Sequence, residues 1–515
     1  MKKPLMFTMF LVLSLALASF SVSAEVCVAE TGICYGNVDA CAGNATSGQT
    51  CTITDGSTYT VASVVPTVAL TFNTNSTSGQ PTVTGTSVSN PVFDLATSGT
   101  GVYVIDGLRI THADGMGVAV DGTVTQVTII NNDFFINAST GNNWGDGGAN
   151  GVWMAQGDNH IIQGNSITLN GGICCNYGVH VDGSWNNLAL ENILIDNNTM
   201  FIYGQGGFDG GINTYQDTLR ETDVVITNNI ITVNTTGLDD AGFGSFVDGA
   251  LTYQYADNVF DITGQKGGVG LWFDATSVGS NYTVFRDHIT VRSINSTFAS
   301  HPIVSTATEN LRLHDVTLIN EEGDAGVLTT ASTSFCRTSP VINMTNPTWN
   351  GNISFLDNSG WYSPTTISCG EAHVSYDVTV QTGVSGASVV LNSTSPNALN
   401  PTNTVIGVAD GGGDYVTSLG AFYANNETYL TLPYLSFNPY NVVASATGYV
   451  DNSTSAIIAS SDTIVLLTLS LEPVVPPVEP AEPEVPLTGA LRLVLGLALL
   501  LILLGAVGVI GVKKK

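Results

Sequence analysis

Ile129-Ile130-Asn131-Asn132-Asp133-Phe134-Phe135-Ile136-Asn137 is the stretch on which the fold turns. An apolar pair runs into Asn at a bend, and a second short alternating run follows. The unit returns as Ile161-Ile162-Gln163-Gly164-Asn165-Ser166-Ile167-Thr168-Leu169-Asn170, as Leu194 to Ile202 and as Val225 to Asn234. Weaker copies pass through Asp257-Asn258-Val259, Asp287-His288-Ile289 and His314-Asp315-Val316. The markers Asn132, Asn165, Asn198, Asn229 and Asn258 step by 33, 33, 31 and 29 residues. A second phase repeats glycine, apolar, variable, apolar. It reads Gly117-Val118-Ala119-Val120, Gly151-Val152-Trp153-Met154, Gly178-Val179-His180-Val181, Gly211-Ile212-Asn213-Thr214 and Gly270-Leu271-Trp272-Phe273.

Short alternating runs are strands with one buried face. Two or three of them per unit, with no helical stretch between, make a solenoid of strands. Asn suits the bends because it tolerates the left-handed conformation, and stacked Asn side chains can bond along a ladder. Over roughly residues 55 to 370 the pattern resembles the right-handed parallel β-helix family. A β-sandwich array is the structural alternative, and the even step with two repeat phases favours the solenoid.

In the second phase, inward Val and Ile leave an outward column of Ala119, Trp153, His180, Asn213 and Trp272. Two residues on lies another: Asp121, Ala155, Asp182, Tyr215 and Asp274. Stacked at about 4.8 Å per coil, these residues are expected to form an exposed sugar-binding groove. Rings offer flat apolar area to sugar faces, and carboxylates bond hydroxyls or act as acid and base. The ligand-binding candidates are Trp153, His180, Asn213, Tyr215, Trp272 and Asp121. The catalytic candidates, should the chain be an enzyme, are Asp182, His180 and Asp274. The bland readings are rings packed under neighbouring loops, a satisfied histidine, and Asp121-Gly122 and Asp182-Gly183 as ordinary turns. Polygalacturonase-like enzymes of the β-helix family carry Asn-Thr-Asp, Asp-Asp, Gly-His-Gly and Arg-x-Lys motifs. This chain has Gly237-Leu238-Asp239-Asp240 and Gly178-Val179-His180 but neither Arg-x-Lys nor Asn-Thr-Asp. Pectate-lyase-like sites pair calcium-binding acids with a basic residue, for which Arg220 is the nearest candidate in sequence. No cofactor is expected, with calcium left open.

The pattern changes near His373. Tyr376-Asp377-Val378-Thr379-Val380, Gly386-Ala387-Ser388-Val389, the Asp410-Gly411 turn before Tyr415, and Ala444-Ser445-Ala446-Thr447-Gly448-Tyr449 resemble the carboxypeptidase-regulatory-like family. That family implies a small β-sandwich serving as a spacer. Residues 472–489 are rich in Pro, Glu and Val, the composition of an extended stalk. Val485-Pro486-Leu487-Thr488-Gly489 ahead of an apolar run and lysines resembles a sortase-type sorting signal, which implies cleavage between Thr and Gly. Val485 departs from the commoner Leu.

Leu493 to Val512 carries no charge and precedes Lys513, Lys514 and Lys515. Twenty apolar residues suffice to cross a bilayer core of about 30 Å, with the lysines on the cytoplasmic side. Met1-Lys2-Lys3, the apolar run Leu11 to Phe20 and Val22-Ser23-Ala24 read as a signal peptide. The fold class expected is therefore all-β: a right-handed parallel β-helix solenoid plus a small β-sandwich, with a C-terminal transmembrane helix. The segments are 1–24 signal peptide, 25–60 Cys-rich cap, 61–372 β-helix, 373–471 β-sandwich, 472–489 stalk, 490–512 transmembrane segment and 513–515 basic tail.

Six of the 13 Lys and Arg lie in the two end segments, which leaves seven against 42 acids and a formal charge of −35 between them. Such a surface repels phosphate backbones and argues against nucleic acid as a partner. Eight cysteines fit an oxidising compartment. Cys27, Cys34, Cys41 and Cys51 are expected to form two disulfides with three possible connectivities, and Cys336 with Cys369 a third. The adjacent Cys174 and Cys175 are a vicinal disulfide or two buried thiols. Twelve Asn-x-Ser/Thr sequons, from Asn44 to Asn452, permit glycosylation of a secreted chain. The expected function is a surface-anchored extracellular protein acting in adhesion, envelope structure or glycan binding. Its partners would be a polysaccharide or cell-surface glycan and the membrane. The alternative is a surface-tethered polysaccharide hydrolase or lyase.

Overall fold

The computed structural model describes residues 25–473 apart from segments at 89, 96–100, 123, 138–148, 173–174, 184–189, 206, 216–221, 238–241, 249–251, 275–280, 296–299, 306–309, 322–326, 330–340, 351–352, 355–370, 396–403, 426–434, 459 and 461–462. The chain winds as a parallel β-solenoid with three faces, here named A, B and C in the order a coil meets them. One coil runs through Ile161–Gln163 on face A, Ser166–Asn170 on face B and Tyr177–Asp182 on face C. Each strand pairs in parallel, in register, with its equivalents one coil before and after.

Because the strands are in register, alternation within one coil becomes a continuous column across coils. On face A the inward column is Ile105, Ile129, Ile162, Ile195 and Ile226, all fully buried. On face B it is Ile110, Phe134, Ile167, Met200, Ile231 and Phe260. Further along, the interior turns aromatic. Tyr255, Phe273 and Tyr282 pack ring against ring, with Phe273 and Tyr282 centroids 5.1 Å apart.

The corner between faces A and B explains the repeat. The residue before each marker has positive φ, from 52° to 74°: Gly107, Asn131, Gly164, Asn197, Asn228, Asp257, Arg286, Asp315 and Asn346. Gly, Asn and Asp reach that region at least cost. Arg286 occupies it with its guanidinium on both oxygens of Asp257, at 2.6 and 2.5 Å, and 3.9 Å above the Phe285 ring. The markers Asn132, Asn165, Asn198, Asn229 and Asn258 point inward at 0–2 % exposure. From Asn132 to Asn229, each one's backbone N–H and Nδ2 donate to the Oδ1 of the next, at 2.9–3.1 Å. Each Nδ2 also donates to a carbonyl of the preceding coil. The ladder ends on Asp287, whose Oδ1 accepts from Asn258 N and Nδ2 at 2.8 and 3.1 Å.

The N-terminal end is closed by two antiparallel strands, Val26–Val28 and Ile33–Tyr35, and by α1, Val38–Asn44. Of the three connectivities left open, the structure has Cys27–Cys34 and Cys41–Cys51. Cys175 is also disulfide-bonded, while Cys174, Cys336 and Cys369 lie outside the described residues. Thr50–Ile53, inside the segment expected to be cap, already pairs as a face A strand with Thr71–Thr74. At the other end Glu371–Gln381 belongs to two structures. Its first half pairs in parallel with the face A strand Val341–Thr345. On its other edge its whole length pairs antiparallel with Asp414–Asn425 of a C-terminal all-β module, Val378–Gln381 also pair with Thr463–Leu466, and the module adds a separate four-stranded antiparallel sheet.

The expected fold class needs one correction. Among the described residues no helix is long and apolar enough to cross a membrane, and α1 has seven residues. The described residues form an all-β parallel solenoid with one short helix, and against the expectation they contain no transmembrane helix. A run like Leu493 to Val512 satisfies the length and hydropathy of a span without establishing that a helix forms. That run, the signal peptide reading and residues 474–489 of the stalk lie outside the described residues.

Candidate functional site

Face C stacks the expected columns. Ala119, Trp153, His180, Asn213, Phe246 and Trp272 are consecutive register partners. Asp182, Tyr215, Asp248 and Asp274 are partners in the next column. Phe246 and Asp248 escape the sequence pattern because the inward position of their coil is Ser245, which breaks the apolar alternation. Ser245 Oγ lies 2.9 Å from the Tyr255 hydroxyl inside the solenoid. The large ring fills the space that an aliphatic side chain takes elsewhere.

The expected exposure of this column is corrected. Trp153, His180, Asn213 and Trp272 are only 3–4 % exposed. Trp153 packs with Met116, Ala119 and Ala155. Trp272 meets Phe246 edge-on at 5.0 Å, and Phe246, Phe243 and Tyr177 continue the contact at 5.8 and 5.9 Å. This is a second apolar cluster, outside the solenoid interior. Period-two alternation gives the direction of a side chain and not whether something covers it.

His180 sits edge-on to Tyr177 at 4.8 Å, and its buried Nε2 has no hydrogen-bond partner among the described residues. Burial holds its imidazole below the ordinary histidine range, against the pull of Asp182, so the ring is neutral at pH 7. Asp182 is itself buried at 7 % exposure. A neutral, enclosed imidazole beside an enclosed carboxylate is poorly placed to meet a polymer from solvent. Asp121 accepts the N–H of Gly122 at 2.6 Å, a local turn bond. Tyr215 is 39 % exposed at the column's edge. Among the described residues, the one grouping of His, Cys, Asp or Glu tight enough for a metal is Glu25 with Cys27 and Cys34, and both sulfurs are spent in a disulfide.

An open cleft of about 160 Å³ lies instead at the corner between faces B and C. Its walls are the register column Asn170, Tyr203 and Asn234, together with Gly171, Gly204, Gln205 and Thr236. Tyr203 is 46 % exposed. Asn170 Nδ2 donates to Asn137 Oδ1 at 2.9 Å, and Asn234 Oδ1 faces no hydrogen-bond donor among the described residues. The floor is tight. A Cβ on Gly171 would fall 1.9 Å from Asn176 Nδ2, and one on Gly204 1.5 Å from Asp209 Oδ2. Asn176 and Asp209 are fully buried and bonded through Asn176 Nδ2 to Asp209 Oδ1 at 2.6 Å, a second short ladder under the cleft. An exposed ring beside amide groups on a rigid floor can hold a sugar by stacking and by hydroxyl bonds. No residue of this cleft is among the site candidates read from the sequence. Its only signal there is a tyrosine standing in an asparagine column.

No protein-family model and no curated protein matches this sequence. Among solved structures, it is similar to a double mutant of the tailspike protein of E. coli bacteriophage HK620, at 11 % identity and TM-score 0.32, covering 73 % of this chain and 86 % of that one. A second HK620 tailspike double mutant, in complex with a pentasaccharide, gives 12 % identity and TM-score 0.29 over 73 % and 85 % of the two chains. The enzymatically active domain of bacteriophage CBA120 tailspike protein 2 gives 12 % identity and TM-score 0.28 over 86 % and 80 %.

Proposed function

We propose that this chain is an extracellular glycan-binding protein, that the Asn170–Tyr203–Asn234 cleft takes the glycan, and that binding serves adhesion or envelope structure without catalysis. The observation that carries the reading is the exposed Tyr203 ring set between two amide side chains in one straight column. Two disulfides in the N-terminal cap support an oxidising, extracellular setting. The strands after Gln381 act as a spacer. Binding is independent of calcium.

Tyr203→Ala is expected to weaken binding to a retained neutral polysaccharide by roughly tenfold, the worth of one aromatic contact. Affinity electrophoresis of parent and variant, with and without EDTA, measures it. Equal mobility of the two proteins in every gel that retards the parent would remove the cleft from the reading. The same polymers should yield no new reducing ends or unsaturated products. Turnover that disappears in Asp182→Asn would replace this reading with a hydrolase or lyase acting on face C.

A further inference from the structure

The outer surface of face B carries a second pattern. Phe135, Thr168, Phe201 and Thr232 are consecutive register partners, so aromatic and hydroxyl side chains alternate coil by coil along one straight column. All four alternate with inward residues of the solenoid core: Phe134 and Ile136, Ile167 and Leu169, Met200 and Ile202, Ile231 and Val233. Phe135 is 38 % exposed, and Phe201 is partly exposed. Two coils separate the two phenylalanines, a distance of about 10 Å. Tyr203 stands two residues from Phe201 on the same strand, about 7 Å away.

From Phe135 to Phe201 this surface is a sheet face and not a pocket, with the Tyr203 cleft at its edge, so its ligand is a long, flat molecule. In an extended β-1,4-linked hexose polymer, successive rings are flipped, so every second sugar presents the same face to a surface. A pair of rings two coils apart meets sugars of like orientation, and the threonines between them meet the hydroxyls of the flipped ones. An α-1,4-linked chain coils away from such a plane. Charge selects against acidic polymers. The chain's formal charge is −29, and the nearby Arg109 is spent on Asp133 at 3.6 Å.

We propose that face B is a platform for a neutral, extended β-linked polysaccharide lying along the solenoid axis across Phe135, Phe201 and Tyr203; this rests on the glycan-binding reading above and names its polymer class. The test uses the full chain in sedimentation with β-1,4-glucan, β-1,4-mannan, α-1,4-glucan and polygalacturonate. Retention is expected on a β-linked neutral polymer and not on the other two. Phe135→Ala and Phe201→Ala are each expected to weaken that retention by roughly tenfold. Phe135→Ala should leave binding of a disaccharide at Tyr203 unchanged. Both substitutions are on the solvent face, and equal melting of parent and variants shows that the fold is kept. Retention only on the α-linked or acidic polymer overturns the platform. So does parent-like retention of both Phe variants while Tyr203→Ala binds weakly, and in that case the cleft still stands. Retention of no polymer removes the glycan-binding reading and the platform together.

Discussion

Asn198→Ala is expected to lower the unfolding free energy by about 4 kcal/mol, because one truncation strands several buried groups at about 1 kcal/mol or more each. Asn198 Oδ1 accepts from Asn165 N and Nδ2, both at 3.0 Å. Its Nδ2 donates to the Ile162 carbonyl at 2.9 Å and to Asn229 Oδ1 at 3.0 Å. The side chain is 1 % exposed, so water cannot replace these bonds. Asn170→Ala, on the outer surface one coil earlier, loses a single half-exposed bond to Asn137 and serves as the control. Urea unfolding of both variants measures the contrast. Equal losses would mean that the ladder contributes no more than a surface amide.

Asp287→Asn is expected to abolish a pH dependence of stability that the parent shows. Asp287 ends the ladder in a buried place, and burial pushes its carboxyl up to about 8 from 3.8, against the pull of the Asn258 donors. Between those values the folded chain holds a proton that the unfolded chain has released. Its stability is therefore fully present below pH 4 and falls as pH rises towards 8, by on the order of 5 kcal/mol. Asn at this position keeps the acceptor for Asn258 and carries no titrating proton. His160 works in the opposite direction. Its Nδ1 accepts from Val127 N and its imidazole is held down to about 4 by burial, so its contribution is present above pH 6.5 and is lost as pH falls towards 4. The difference between parent and variant cancels that background. Chemical unfolding at pH 4, 6 and 8 gives it directly, and parallel pH profiles for the two proteins would rule out a buried titrating Asp287.

The solenoid is legible in the sequence because its corner is chemically demanding. A left-handed residue followed by an inward amide admits few side chains, so Asn131-Asn132, Asn197-Asn198 and Asn228-Asn229 stand out at nearly even spacing. Asp287 is visible as a weaker copy, but its role as the end of a buried ladder needs the packing of the neighbouring coil. The face C columns follow from alternation, yet Trp153 and Trp272 are covered, and alternation within a strand carries no information on cover. The cleft at Tyr203 is hidden for a related reason. Its walls come from three coils, and its floor depends on Asn176 and Asp209 approaching Gly171 and Gly204, which no single repeat displays.

The strand Glu371–Gln381, shared by the last coil and the C-terminal module, has a mechanical consequence. Its residues Glu371 to Ser375 lie in parallel register with Val341 to Thr345, and the same backbone continues without a break to Val378–Gln381 beside Thr463–Leu466. Tension applied through the module therefore travels along this strand and loads the hydrogen bonds of the final coil together, in shear, instead of peeling them one at a time. Glu371–Gln381 runs through the junction as a single strand. A pull on the module turns the solenoid with it, and flow or cell movement would set the angle at which the solenoid's outer faces meet a surface.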